Sequence, residues 1–587
     1  MSVLRRLYRI WPFVRPYKWR LSGGIIAFGV SRLLEAMVPL FLAMGIDRLA
    51  DNNHDLRMPV LGIFTSVFLR YFVVTYARYA VRKVGLYVAY DLRRALYAGL
   101  QRQGIVFFNK HTIGDMMTRA VADISLIQRF IAMGTILFVI MIYATVIGFG
   151  FMLWFSPQLT LLLIPPLPFV FIYAQRSARA MGVTSEAVQE RLSDLGTHVQ
   201  ENLSGIRTIQ AMAQEDNEIA RFSATNQQYA DAFYEQARVN SLMTSWMPTM
   251  AAACTLTILG YGGSLVIAGE MTIGAFVAFF MYVSMIVQPF RVAGFIVNLF
   301  QRAGVAINRL TEVLDMEPEI DDAAHASQSA PMRGDIELRE LRFRYSGDRP
   351  WVLNGVDLNI RAGETIAIMG KVGSGKTTLL RTLTRLLDPP AGSVVIDDKE
   401  IHAWPLANLR SQVALVPQDP FLFGEPLGVN ITYDDPSRTV EQIWSAAQAA
   451  ALKDTIESFP DGLNTLVGER GVTLSGGQKQ RATLARGLIR HSPVLLLDDC
   501  FSSVDTETEE HILAALSRLR QGQTTLLVSH RVSTARHADR IVVLDNGRVA
   551  ETGTHAELIG AGGWYAELER IQREGADAED FVGMASA

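Results

Sequence analysis

Glu364-Thr365-Ile366-Ala367-Ile368-Met369-Gly370-Lys371-Val372-Gly373-Ser374-Gly375-Lys376-Thr377-Thr378-Leu379-Leu380 decides how the second half of this chain folds. An apolar run reads as a buried strand, a glycine-rich turn follows, and an apolar helix begins at the lysine. Glycines let backbone N–H groups close around phosphate oxygens with no Cβ in the way. Gly370, Lys371, Val372, Gly373, Ser374, Gly375, Lys376, Thr377 and Thr378 are therefore candidate nucleotide-binding residues. Lys376 supplies a point charge for the β- and γ-phosphates, and Thr377 a hydroxyl for Mg²⁺.

Downstream, Val494-Leu495-Leu496-Leu497-Asp498-Asp499 is a second apolar strand that ends in two carboxylates. Asp498 suits Mg²⁺ held through water, and Asp499 is placed to address an attacking water. Short β-branched strands alternating with helices around both motifs predict an α/β domain over residues 334–575.

Upstream the texture is different. Hydrophobic residues make up 49% of the 587 and charged residues only 19%, against about 25% charged in average soluble chains. Gly 46, Pro 22 and Cys 2 exclude collagen-like, disordered and disulfide-scaffold classes, and a net charge of −3 argues against a nucleic-acid partner. The two cysteines, Cys254 and Cys500, lie far apart in unlike surroundings and read as reduced, buried thiols. Nothing has metal-ligand spacing.

The apolar excess sits in the first half. Residues 130–175 carry no charge, too long a run for one span of about 20 residues, and Ser156-Pro157-Gln158 breaks it into two. Residues 240–269 and 271–290 are charge-free on either side of Glu270. Residues 21–46, with Arg32 and Glu35, and 58–77, with Arg70, are also long enough to span. Six spans are expected, near 21–46, 58–80, 130–155, 157–175, 241–269 and 271–293.

Arg5, Arg6, Arg9, Arg15, Lys18 and Arg20 before the first span, and Arg78, Arg82, Lys83, Arg93 and Arg94 after the second, place both termini in the cytoplasm. A cleaved leader is disfavoured because the first apolar run is too long. The polar stretches 79–129 and 176–239 lack strand or turn punctuation, which favours helical extensions of the spans over globular loop domains. The chain thus divides into a transmembrane domain at 1–312, a linker at 313–333, the α/β domain, and a polar tail at 576–587.

Further motifs carry a resemblance. Leu474-Ser475-Gly476-Gly477-Gln478-Lys479-Gln480-Arg481 resembles the signature motif of ATP-binding cassette proteins. Gln418 after Val416-Pro417 resembles the Q-loop, residues 502–505 the D-loop, and His530 in Ser529-His530-Arg531 the switch histidine. Tyr345 resembles the aromatic that stacks on adenine, and residues 465–471 the X-loop of exporters. Phe107-Phe108-Asn109 with Gly114, Asp115 and Arg119, and Glu201-Asn202 with Gly205-Ile206-Arg207, resemble the two intracellular-loop stretches of the exporter type. The likeness covers almost the whole chain.

It implies a membrane α-helical bundle fused to a P-loop ATPase, with ATP and Mg²⁺ as ligands and residues near 109–119 and 205–216 as couplers. Gln418, Asp498 and Thr377 would serve the metal, and Asp499, His530 and Gln418 the chemistry. Ser475, Gly476, Gly477 and Gln478 would face the γ-phosphate on a second chain's phosphate loop. With one phosphate loop and one signature motif, this chain needs a second half-transporter to close the ATP sandwich. Tyr345 is otherwise an ordinary surface tyrosine.

The departure from the family is Asp499, where a glutamate is usual, followed by Cys500. Aspartate is one methylene shorter, and a general base must come within about 2.6–3.2 Å of its water. The chain resembles the weak-site subunit of heterodimeric multidrug exporters, and the expected partner is an unlike half-transporter; a homodimer with two slow sites is the alternative. Spans rich in Phe, Tyr, Trp, Met and Leu suit amphiphilic cargo, although lipid-facing residues look the same. Arg32, Glu35 and Arg70, ionisable at membrane depth, are candidates for cargo contact, and Arg32 and Glu35, three apart on one helix, alternatively pair with each other. A lipid or peptide exporter or flippase, and an ATP-gated channel or regulator, are the competing readings.

Overall fold

The computed structural model describes residues 7–574 except 165, 291–292, 323–330, 346–348, 469–470 and 472. Arg5 and Arg6, residues 323–330 of the expected linker, residues 469 and 470 of the X-loop stretch, and the polar tail lie outside the described residues. The chain forms two compact units: residues 1–101 with 112–316, and residues 102–111 with 317–587.

Among its described residues, the regular structure of the first unit is all helix. Four of its described helical stretches are long and apolar enough to cross a membrane: Trp11–Ala50, Arg57–Gln101, Ile113–Phe155 and Ile273–Leu314. The remaining expected spans fall on Pro157–Leu163 with Pro166–Ser204, and on Glu215–Thr257 continued by a π-turn, Ile258–Gly262, and Gly263–Ile267. At 45 residues, Arg57–Gln101 is about twice as long as a span of roughly 20 residues. Ser156 makes the first hairpin: it is extended, its Oγ accepts the Leu159 N–H at 3.3 Å, and Pro157 starts the next helix.

Small residues set how closely these helices approach. A Cβ on Gly274 would lie 2.1 Å from the Ala43 carbonyl oxygen, and one on Gly24 2.7 Å from Val81. Asp47 Oδ1 accepts the Gly274 N–H at 2.7 Å, satisfying an orphan donor at the start of helix Ile273–Phe290. Tyr282 is fully buried, donates to the Ala36 carbonyl at 2.8 Å and stacks on Phe151. Arg32 and Glu35 pair at 2.5 Å, and Arg70 from the neighbouring helix joins Glu35 at 3.0 Å.

The second unit is built on a six-stranded sheet of order β10-β9-β3-β8-β7-β6, where β3 is Thr365–Met369, β6 Val413–Val416, β7 Val494–Asp498, β8 Thr524–Val528, β9 Arg540–Asp545 and β10 Arg548–Gly553. All pairs except β10–β9 are parallel. Both faces of the parallel part are covered, which is why β3 and β7 read as unbroken apolar runs. Ile366 and Ile368 pack with Leu379, Leu380 and Leu383 on one face; Ala367 and Met369 pack on the other with residues of helix Gly476–Leu488 and of helix Thr506–Leu519.

A four-stranded antiparallel sheet of order β2-β1-β4-β5 flanks it, from β1 (Ile336–Phe343), β2 (Leu353–Ile360), β4 (Val394–Ile396) and β5 (Lys399–Glu400). The described ends of the expected linker are fastened to this unit. Asp322 Oδ1 accepts the Leu406 N–H at 2.6 Å, and Asp397 Oδ1 accepts those of Gly334 and Asp335 at 3.0 and 2.9 Å.

Candidate functional site

The phosphate loop leaves the carboxyl end of β3, and the two carboxylates leave that of β7, one strand away across β8. Ligands of open parallel sheets sit at such strand ends. The loop can turn only because of its glycines. Gly370 has φ +139°, and a Cβ there would lie 2.1 Å from the Leu544 carbonyl oxygen; Gly375 has φ +102°, with Val352 O at 2.8 Å. Gly375 precedes helix Lys376–Leu383, whose first N–H groups open toward the loop.

Lys376 arches back over this turn. Its Nζ donates to the carbonyls of Gly370 and Lys371, both at 2.8 Å. Burial lowers its pKa to about 8, against the opposing pull of Asp499 and Asp498. Lys371, Val372 and Gly373 are exposed at the loop's crest; Ser374 is buried with Oγ lacking a hydrogen-bond partner among the described residues. Thr377 Oγ1 donates to Asp498 Oδ1 at 3.0 Å, and Thr378 Oγ1 lies 3.1 Å from the Tyr345 hydroxyl. Tyr345 itself rests edge-on against Phe343.

Asp498 is buried, which raises its pKa despite the bond from Thr377. Asp499 follows with φ +44°. Its N–H donates to Val528 O at 3.2 Å, and its Oδ2 accepts from Gln418 Nε2 at 3.2 Å. Burial, then the neighbouring Asp498, push Asp499 up to about 6. Burial and the Lys376 charge push His530 down to about 4, so its imidazole is neutral at pH 7. His530 Nδ1 is buried without a partner among the described residues. Gln572 clamps the backbone on either side of that ring, donating to His530 O at 2.8 Å and accepting the Val532 N–H at 2.9 Å.

Ser475, Gly476, Gly477 and Gln478 form a separate cluster. Ser475 caps helix Gly476–Leu488: its Oγ accepts the Gln478 N–H at 3.3 Å while Gln478 Oε1 accepts the Ser475 N–H at 2.9 Å. Among the described residues no hydrogen bond joins this cluster to residues 370–378. It is tied instead to the loop after β7. A Cβ on Gly477 would stand 2.8 Å from Ser503 O, and Gln480 donates to Ser502 Oγ at 2.8 Å while accepting the Ser503 N–H at 2.9 Å.

Sequence reading singled out neither Gln480 nor Gln572 as a brace, and it missed the pairing of Arg531 with buried Glu509. Arg531 also donates to Val504 O at 3.2 Å, bracing the residue after His530 against the same loop. The one available signal was the adjacency of Arg531 to His530.

Residues 21–290 match the family described as the ABC transporter transmembrane region, and residues 353–502 match the family described as ABC transporter. This chain belongs to the ABC transporter family. It is 32% identical, over 97% of its length and 97% of the relative's, to an ATP-dependent lipid A-core flippase of Aromatoleum aromaticum. It is 31% identical, over 97% of its length and 100% of the relative's, to YgaD of Bacillus subtilis, a protein provisionally named for multidrug export. Among solved structures, a bacterial Atm1-family ABC exporter with ATP bound matches with a TM-score of 0.76 at 25% identity, covering 94% of this chain and 98% of that one.

The chain is accordingly a membrane protein in which a helical transmembrane domain is fused to an ATP-binding domain, an ATPase coupled to transport. Transporters of this fold work as dimers.

Proposed function

We propose that this chain is one half of a heterodimeric exporter that moves amphiphilic or hydrophobic small molecules out across the cytoplasmic membrane, with its own ATP site weakened at Asp499. The cytoplasm holds both termini and the ATPase domain in this reading, as the basic residues flanking the first two spans require. Two relatives named for lipid and for drug export support amphiphilic cargo.

The observation that carries the weakened site is the Asp499 carboxylate: buried, and hydrogen-bonded to Gln418 at 3.2 Å. It is one methylene shorter than a glutamate at a position where an error of about 1 Å is worth roughly a hundredfold in rate. Intact Ser475–Gln478 would complete an efficient site on the partner chain.

The residues present fit Mg²⁺. Thr377 and Asp498 already converge at 3.0 Å, Gln418 adds an amide oxygen, and oxygen donors alone suit a hard cation that keeps waters and shares a nucleotide's phosphates. No cluster of three or more His, Cys, Asp or Glu that could hold a metal exists among the described residues, and nucleotide phosphates and waters would complete the ion's shell. When bound, the ion would neutralise phosphate charge. Lys376 and the loop N–H groups hold and orient the phosphates, Asp499 receives a proton from water, and neutral His530 donates to the γ-phosphate.

ATPase rates per site, measured on the chain alone and with an ABC half-transporter that carries glutamate at the matching position, test this. Slow hydrolysis alone and fast hydrolysis at one of two sites in the mixed complex are expected. Equal ordinary rates in the lone protein would defeat the heterodimer.

A further inference from the structure

Within the first unit, a cavity of about 370 Å³ opens between the helical stretch containing residues 122–129 and helix Ala293–Leu314. Its charged lining is Asp123, Arg129, Arg302 and Arg309. Three fixed cations against one carboxylate leave a net charge of two positive. Arg129 and Arg302 are exposed and make no hydrogen bond or ion pair among the described residues. Arg309 is committed to Asp123 through Oδ1.

Asp123 is only 2% exposed, and its second oxygen, Oδ2, is buried with no partner among the described residues. A buried acceptor left without a partner is costly, so it calls for a donor. The backbone around it is unusual too. Asp123 ends one π-turn, Arg119–Asp123, and a second, Phe130–Gly134, begins directly after Arg129. Such turns re-aim side chains and gather at functional sites. Arg119, buried, fastens the first turn to the opposite helix through the Arg309 carbonyl and Glu312.

Two unpaired guanidinium groups and one carboxylate oxygen lacking a donor specify an oxyanion that still carries a proton. A phosphate monoester meets that demand: its charged oxygens face arginine forks, and its O–H can donate to a carboxylate. A sulfate ester has no proton to give. The cavity lies beside the charge-free run that begins at residue 130, so an apolar tail on the ligand can enter the membrane-spanning segment.

We propose that this cavity binds the head of an alkyl phosphate monoester, with Arg129 and Arg302 on the charged oxygens and Asp123 Oδ2 accepting the phosphate O–H. Calling that ligand cargo rests on the export reading above; binding itself does not.

The test uses the full chain in phosphatidylcholine nanodiscs without nucleotide, with dodecyl phosphate as probe in equilibrium dialysis. Saturable binding is expected, weakened about tenfold or more by Arg129→Gln or Arg302→Gln, since each loses a charge-assisted hydrogen bond to the head group. Arg129→Lys and Arg302→Lys should fall between, and Arg94→Gln should bind like the parent. Dodecyl sulfate should bind more weakly than dodecyl phosphate, and Asp123→Asn should erase that preference. Competition by phosphatidic acid added to the discs would assign the site to a lipid head, and its failure to compete to a soluble amphiphile; both support the site. Unaltered binding in the glutamine variants, equal binding of dodecyltrimethylammonium, or displacement by inorganic phosphate at the same concentration would overturn it. The melting temperature of each variant in the same discs, measured in parallel, reports its folding, and a chain unable to hydrolyse ATP still gives the result.

Discussion

Gln418 Nε2 donates to Asp499 Oδ2 at 3.2 Å, joining residues 81 apart in sequence at the edge of the nucleotide site. The amide thereby holds the carboxylate that would activate water, and it sits on a segment that follows β6 rather than β7. Any nucleotide whose metal recruits the Gln418 side chain must loosen that bond, which couples occupancy of the site to the freedom of its base.

Asp499 gives hydrolysis an acid limb. Its pKa is pushed up to about 6, and only the ionised form accepts a proton. Activity at this site should fall as pH drops through about 6, well above the range of an ordinary aspartate. A pH–rate profile of the isolated chain checks this; a limb near pH 4 would mean that Asp499 is not the base.

Lys376 should couple ATP binding to proton uptake. In the free protein burial holds it at about 8, and phosphate charge arriving beside it favours the protonated form. At pH 8 the free lysine is about half neutral and by about pH 9 largely so, while the bound one stays charged, so proton uptake on binding rises from about half toward one across that range. Calorimetry in buffers of different ionisation enthalpy reads this number directly, and Lys376→Ala should abolish it together with tight binding.

Gly477→Ala separates the two halves of the catalytic apparatus. The added methyl would meet Ser503 O at 2.8 Å and push the loop after β7 aside, while residues 370–378 are untouched. ATP binding to the chain alone should be unchanged. Hydrolysis at the composite site made with a partner should fall by about tenfold or more, the scale of a sub-ångström misplacement.

Gly274→Ala tests the membrane packing. Its Cβ would stand 2.1 Å from a backbone oxygen, which cannot swing away as a side chain can. Overpacking of this kind costs about 1–3 kcal/mol, so the melting temperature in detergent should fall by several degrees while ATP binding persists.

How much of this was legible varies by element. β3, the glycine loop and β7 could be read because a strand buried on both faces is apolar throughout and a phosphate turn demands glycine. The hairpin at Ser156-Pro157 was legible for a similar reason: an N-cap and an N1 proline are local signals. Packing inside the bundle was not. Tyr282 is buried and Phe64, Phe68 and Phe72 are exposed, yet an apolar residue facing lipid and one facing a neighbouring helix have the same hydropathy. Arg32 and Glu35 could be paired from their spacing; Arg70, on another helix, could not be assigned to Glu35.

The same limit hid the braces of the site. Gln480, Gln572 and Arg531 act through contacts 22 to 42 residues away, and apart from the adjacency of Arg531 to His530 no local pattern marks them.

Single-turnover hydrolysis of ATP by the chain alone, compared with its Asp499→Glu variant in the same nanodiscs, bears most directly on the weakened site. One added methylene should bring the carboxylate to its water and raise the rate by up to about a hundredfold, with ATP affinity unchanged. A variant no faster than the parent would mean that Asp499 already reaches the water, and this chain would need no unlike partner to turn over.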